Sequence, residues 1–252
     1  MKDFIAALAC ALFCFTAFAD PAGDMQHRLF ELRTYHAAPG KLADLEARFR
    51  NHTLKIFARH GMSSIGYWVP LDNTNNVLVY MLAFPNRSER DLDWKEFSAD
   101  PEWQSVAKAS EANGRLVTKV DSVFLTPTDF SPTVRASQSV APRVFELRVY
   151  EATPGKFDAL LARFRDHTTE LFHKHKMTQF GYWTPTEKKD GAGEKLVYIL
   201  AHESRDVAAA NWKAFAADPE WVKAKAASEV NGPLTTNVQS VFMAPTDFSP
   251  TK

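Results

Sequence analysis

Two short runs place a carboxylate, a guanidinium and a phenol at alternate positions: Glu31, Arg33 and Tyr35, and again Glu146, Arg148 and Tyr150. Alternation at period two puts each trio on one face of a β-strand, with Phe30, Leu32 and Thr34 on the other. Two uses of such a face are open. It can wall a ligand pocket in which Arg33 or Arg148 holds an anion through paired hydrogen bonds. It can equally supply salt bridges between two sheets that fix their register. His52 and His167 fall mid-helix beside an apolar stripe, where a histidine acts as a general base or sits as a satisfied boundary residue. These two are the catalytic candidates: one would move a proton while Arg33 or Arg148 steadied a developing enolate. The ligand-binding candidates are Arg33, Tyr35, Trp68, Arg148, Tyr150 and Trp183. Trp68 shares a strand face with Gly66, whose missing side chain leaves room for a ligand or for a neighbouring ring. Tyr and Trp bring a polar handle to an apolar wall, which suits a flat hydrophobic ligand as well as an aromatic core.

Several chemistries are disfavoured. His52 and His60 are eight residues apart, about 12 Å along a helix, and His173 and His175 point to different sides of theirs. No His-Glu-x-x-His or paired-carboxylate motif completes a metal site. There is no phosphate loop, no Gly-x-Gly-x-x-Gly after a strand and no Gly-x-Ser-x-Gly elbow, so no cofactor is expected. Thirty basic residues balance thirty acidic ones, and no Lys/Arg-rich run stands in for a basic field, which argues against nucleic acid as a partner.

The elements that must position these residues are duplicated. Phe30-Glu31-Leu32-Arg33-Thr34-Tyr35 returns as Phe145-Glu146-Leu147-Arg148-Val149-Tyr150, a shift of 115 that also maps Gly66-Tyr67-Trp68 onto Gly181-Tyr182-Trp183. After an insertion near Gly191-Ala192-Gly193 the shift becomes 118, mapping Asp100-Pro101-Glu102-Trp103 onto Asp218-Pro219-Glu220-Trp221 and Pro127–Pro132 onto Pro245–Pro250. Two copies of this length indicate a domain duplication rather than a solenoid. The expected domains are 28–133 and 143–251, joined by a linker over 134–142. Within one copy, a strand at 29–35 leads through Pro39-Gly40 into an amphipathic helix ending near His60-Gly61. A hairpin of Ile65–Val69 and Val77–Phe84 follows, then a helical stretch from about Ser88. Asp100-Pro101-Glu102 restarts a helix with Asp as N-cap and Pro at the first position, and Thr118–Leu125 closes the copy as a strand. The order is β-α-β-β-α-β, a ferredoxin-like domain of the α+β class. One sheet face is left bare, so the economical arrangement packs the two sheets face to face as an internal pseudo-dimer.

Lys2, the apolar run from Phe4 to Phe18 and Ala17-Phe18-Ala19 before Asp20 read as a signal peptide over residues 1–19, cleaved after Ala19. Both cysteines, Cys10 and Cys14, fall inside it, so the mature chain would carry no thiol chemistry. The apolar run is too short to span a bilayer comfortably. The expectation is a periplasmic or secreted protein with no membrane attachment.

Phe-Glu-Leu-Arg-x-Tyr, the Pro-Gly-Lys helix start, His60-Gly61 before Gly66-Tyr67-Trp68, and the late Asp-Pro-Glu-Trp together resemble the NIPSNAP family, in both copies. His175-Lys176 departs from the His-Gly pair and leaves open how the first helix ends in the second copy. The resemblance implies an intrachain dimeric α/β-barrel fold and a family with no generally established catalytic activity. Its eukaryotic members are mitochondrial and linked to trafficking and organelle quality control, roles an exported protein need not share. The broader barrel superfamily includes cofactor-independent monooxygenases, isomerases and haem-binding enzymes, an analogy of fold alone. Two functions stay open: a binding or assembly protein that takes a small apolar or aromatic ligand or pairs into a homo-oligomer, and a cofactor-independent oxygenase or isomerase.

Overall fold

The structure, a computed structural model, describes residues 27–136, 139 and 143–252. The expected signal peptide lies outside the described residues, as do 137, 138 and 140–142 of the expected linker.

Alternating side chains form β1 (Leu29–Ala37), which leads into α1 (Leu42–Arg48). A π-helical turn, Phe49–Thr53, joins α1 to α2 (Leu54–Arg59). The Thr53 hydroxyl donates to the Arg48 carbonyl five residues back, at 3.2 Å, within this wider turn. Next come the hairpin β2 (Ser63–Pro70) and β3 (Val77–Phe84), then α3 (Arg87–Ala99), α4 (Pro101–Ser110) and β4 (Val117–Pro127). The second half repeats the order as β5 (Val144–Ala152), α5 (Phe157–Arg163), a π-helical turn Phe164–Thr168, α6 (Thr169–Lys174), β6 (Thr178–Pro185), β7 (Lys195–His202), α7 (Arg205–Ala217), α8 (Pro219–Ser228) and β8 (Thr235–Pro245). Asp100 caps α4 as expected, its carboxylate accepting from the Glu102 and Trp103 amides. Lys176 resolves the Gly61 departure: it takes the same left-handed conformation, φ +57° against +77°.

Each half forms an antiparallel sheet in the order β2-β3-β1-β4 or β6-β7-β5-β8. The sheets join at both edges, Trp68–Pro70 against Met243–Pro245 and Leu125–Pro127 against Trp183–Pro185, and close an eight-stranded barrel. The molecule is thus a mixed α+β fold with helices outside the barrel. Phe30, Trp68 and Met81 of the first half fill the interior with Phe145, Trp183 and Met243 of the second. Trp68 meets Phe145 at 5.6 Å, and Trp183 meets Phe30 at 5.6 Å. A Cβ at Gly66 would lie 2.2 Å from Cη2 of Trp68, so the glycine makes room for its own neighbour's ring.

The repeated Pro-Thr-Asp-Phe-Ser-Pro segments cross between halves. After β8, the Thr246 amide donates to the Tyr67 carbonyl, and the Tyr67 amide donates to the Ser249 hydroxyl. Phe248 reaches the first half's helical core beside Phe49 and Tyr67, and Asp247 accepts from Arg50 at 2.5 and 2.6 Å. The first half returns the contact: Phe130 packs on Phe164 and Tyr182, and Asp129 accepts from Arg165. Val134, placed in the linker by composition, is buried in the barrel core instead.

Candidate functional site

The Glu-Arg-Tyr trios lie on the outer face of the barrel wall, beneath the helices. Strand parity forces this: Phe30 and Leu32 point into the barrel, so Glu31, Arg33 and Tyr35 point out. The expected salt bridges between sheets are therefore not what the charges make. Each trio closes on its own half. Glu31, fully buried, accepts from Arg33, from Arg90 on α3 at 2.7 and 2.9 Å, from the Trp94 indole at 3.1 Å and from Ser122 at 2.6 Å. Arg33 lies over the Trp94 ring at 4.2 Å, and its Nη2 donates to Tyr35 at 3.4 Å.

The second half keeps the carboxylate and changes a partner. Arg90 is replaced by Ala208 and Phe84 by His202. His202 Nε2 now stands 3.2 Å from Glu146, which also accepts from Arg148, from Trp212 at 2.8 Å and from Ser240 at 2.6 Å. Burial pushes the Glu146 carboxyl up, but the His202 hydrogen bond and the Arg148 charge outweigh it and bring it to about 2. Glu31 is held low by Arg90, Arg33 and Ser122 against the same burial penalty. Both carboxylates are thus fixed anions, and neither arginine of the trios is free to clamp a ligand with its full fork.

Between this face and its helices the second half contains a cleft of about 260 Å3. Tyr150, Phe164, Phe172, Trp212 and Trp221 line it, with Phe164 and Phe172 deepest, the half-exposed Val238 stands at its rim, and Arg163, Lys225 and Glu229 also border it. The rings meet edge to face, Tyr150 with Phe164 at 5.7 Å and Phe172 with Trp212 at 5.3 Å. Arg163 donates to Glu229 at 2.7 Å and lies over Trp221.

The remaining candidates are dispersed. Tyr150 lines the cleft, and Arg148 sits beside it, its Nη2 donating to the Tyr150 hydroxyl at 3.3 Å. Trp68 and Trp183 lie inside the barrel, across the sheet from Arg33, Tyr35, Arg148 and Tyr150, so they do not line a common pocket with them. His52 and His167 are exposed on the solvent side of the helices, each bordering a surface groove, and converge with neither trio. His60 and His175 bind the caps Asp100 and Asp218 at 2.8 and 2.7 Å. Among the described residues no cluster of histidines and carboxylates could hold a metal. The sequence reading missed Arg90, His202, Trp94 and Trp212 as partners of the buried carboxylates; the paired exchange of Phe84 and Arg90 for His202 and Ala208 was the available signal.

A family model described as NIPSNAP matches residues 30–132 and 145–250. No match emerged among curated proteins. Among solved structures, a protein of Lactobacillus acidophilus NCFM provisionally described as a monooxygenase superposes with a TM-score of 0.57 at 13% identity, covering 87% of this chain and 94% of its own. An anthrone oxidase-like protein gives 0.54 at 12% identity, covering 88% and 93%. An uncharacterized NIPSNAP domain protein from Burkholderia xenovorans is 28% identical over 41% of this chain and 98% of its own, with a TM-score of 0.37.

Proposed function

The chain belongs to the NIPSNAP family, and from that premise we propose that it is a binding protein whose second half takes a small, flat, apolar or aromatic ligand. The observation that carries the reading is the aromatic cleft of about 260 Å3 beneath α7 and α8. Its size sits just under the usual range for ligand pockets, roughly 300–1,000 Å3, which suits one or two fused rings. Apolar walls would supply the affinity, and the Tyr150 hydroxyl offers one polar contact.

A cofactor-independent oxygenase or isomerase is the second reading, supported by the fold likeness to the proteins described as a monooxygenase and as anthrone oxidase-like. It lacks an acid–base set: His52 and His167 stand outside the helical layer, and Glu146 is a committed anion. We further infer that the chain is a fused form of the two-subunit dimeric α/β-barrel, each half a ferredoxin-like unit. Export to the periplasm or medium is proposed from the N-terminal sequence, and the intact mass of the purified protein tests it: loss of residues 1–19 is expected.

Binding of methyl 2-naphthoate, followed by tryptophan fluorescence, tests the function. Val238→Trp puts an indole at the cleft rim and should obstruct binding, while the matched Val120→Trp in the first half should leave it intact. Absence of binding of both this ester and the free acid to the wild-type protein, or equal binding by Val238→Trp, overturns the reading. Turnover of the probe would favour the enzyme.

A further inference from the structure

Charge in the cleft is not balanced. Arg163 and Glu229 neutralise each other across 2.7 Å. Lys225 adds a further positive charge at the cleft border, and no carboxylate among the described residues forms an ion pair with it. Its acidic neighbour in the cleft, Glu229, is already engaged by Arg163; against the burial penalty, the Arg163 hydrogen bond and charge, the Leu234 amide and the more distant Lys225 charge together keep that carboxyl low. Arg163 itself is only 5% exposed, and its Nε has no hydrogen-bond partner. A buried guanidinium N–H without a partner costs free energy unless something in the site accepts from it. Two cations, Arg163 and Lys225, thus share one carboxylate, Glu229, and a net positive charge and one unsatisfied donor border the same aromatic cleft.

The first half shares the unpartnered Nε, on Arg48, but lacks the second cation. It keeps the ion pair as Arg48 and Glu111, at a longer 3.2 Å. The position matching Lys225 is Ala107, and Pro233, which also lines the cleft, matches Arg115.

We infer that the cleft of the second half is specific for a planar aromatic monocarboxylate, with its ring between Trp212, Trp221 and Phe164 and its carboxylate at the border facing Lys225. The inference rests on the ligand-binding reading above. A single excess charge matches a monoanion, whereas a phosphate dianion would leave charge unpaired in a slot of this size. The apolar walls hold the ring, and the cation selects against neutral and cationic analogues of the same shape.

The test compares 2-naphthoate with methyl 2-naphthoate, which have the same ring and differ in charge. Wild-type protein at low salt should prefer the acid roughly five-fold, the scale of a partly exposed ion pair. Lys225→Ala should erase that preference by weakening the acid more than the ester, Lys225→Glu should reverse it, and the neighbouring Lys223→Ala should leave the preference as it is. Raising the salt to about 0.5 M should shrink the preference by screening. Equal affinity of acid and ester for the wild-type protein overturns the carboxylate inference and leaves the ligand cleft standing. An acid preference that survives Lys225→Ala overturns it too. Failure of both probes to bind overturns the cleft reading itself.

Discussion

The two halves solve one problem in two ways, and exchanging the solutions tests the account of the buried carboxylates. Glu31 is held by Arg90 from the helix, with the inert Phe84 beneath; Glu146 is held by His202 from the strand, with Ala208 above. His202→Phe removes one hydrogen bond to a charged acceptor, which costs about 1.5–3 kcal/mol. Part of that is offset, because His202 is fully buried and its Nδ1 has no partner, so the phenyl ring removes an unsatisfied atom as well. The net expectation is about 1–2 kcal/mol of destabilisation. Ala208→Arg in the wild-type background inserts a long side chain at a site with no exposure and should cost about 1–3 kcal/mol. Combined, the two substitutions rebuild the first half's arrangement, so the double variant should lie within about 1 kcal/mol of wild type. Urea denaturation at pH 7, followed by tryptophan fluorescence and circular dichroism, gives the four stabilities of the cycle. A coupling smaller than about 0.5 kcal/mol, the usual margin of additivity, refutes the compensation, as does a double variant less stable than His202→Phe alone.

Acid stability follows from the same residue: Glu146 titrates at about 2 in the folded chain against an ordinary 4.5. A folded value below the unfolded one contributes stability above pH 4.5 that is lost as pH falls towards 2, about 3 kcal/mol in all. Glu146→Gln should therefore flatten this part of the acid limb measured by urea midpoints from pH 6 to pH 2, and an unchanged limb contradicts the assignment. Gly66→Ala places a methyl group 2.2 Å from Trp68 Cη2, with the ring held by Phe145 and Phe180. It should cost about 3 kcal/mol or more, and Trp68→Phe in the same chain should recover much of it; destabilisation below about 1 kcal/mol counts against a filled barrel. Phe248→Ala and Phe130→Ala each remove a partly buried ring from the other half's core and should cost about 2–3 kcal/mol. The Phe130 variant should also weaken naphthalene binding in the second half, and equal loss of affinity in both variants would deny the connection.

What was legible in the sequence was whatever local periodicity or self-similarity specifies. Parity on β1 separated Glu31 from Phe30, the Asp-Pro-Glu triplet located the start of α4, and the duplication gave an α+β chain of two like halves. The identity of a buried ion's partner is not local: Arg90 is 59 residues from Glu31 and His202 is 56 from Glu146. Parity also could not say that Trp68 faces the barrel while Arg33 faces the helices, because that depends on the pairing that sets Leu32 and Gly66 opposite Met81.

A repeat maps one copy onto the other and is silent about which copy each segment touches. The Pro-Thr-Asp-Phe-Ser-Pro segments were visible as a matched pair, yet each completes the half it does not belong to. Their chemistry explains why. Prolines end β4 and β8 where the ladders to the opposite half stop, and the following Thr and Ser satisfy the Tyr67 or Tyr182 backbone in place of a further strand. Phe130 then stands against Phe164 and Tyr182, and Phe164 is a wall of the cleft. The site proposed for the second half is therefore shaped in part by the first, which gives the duplicated chain a use for both copies even though only one carries Lys225.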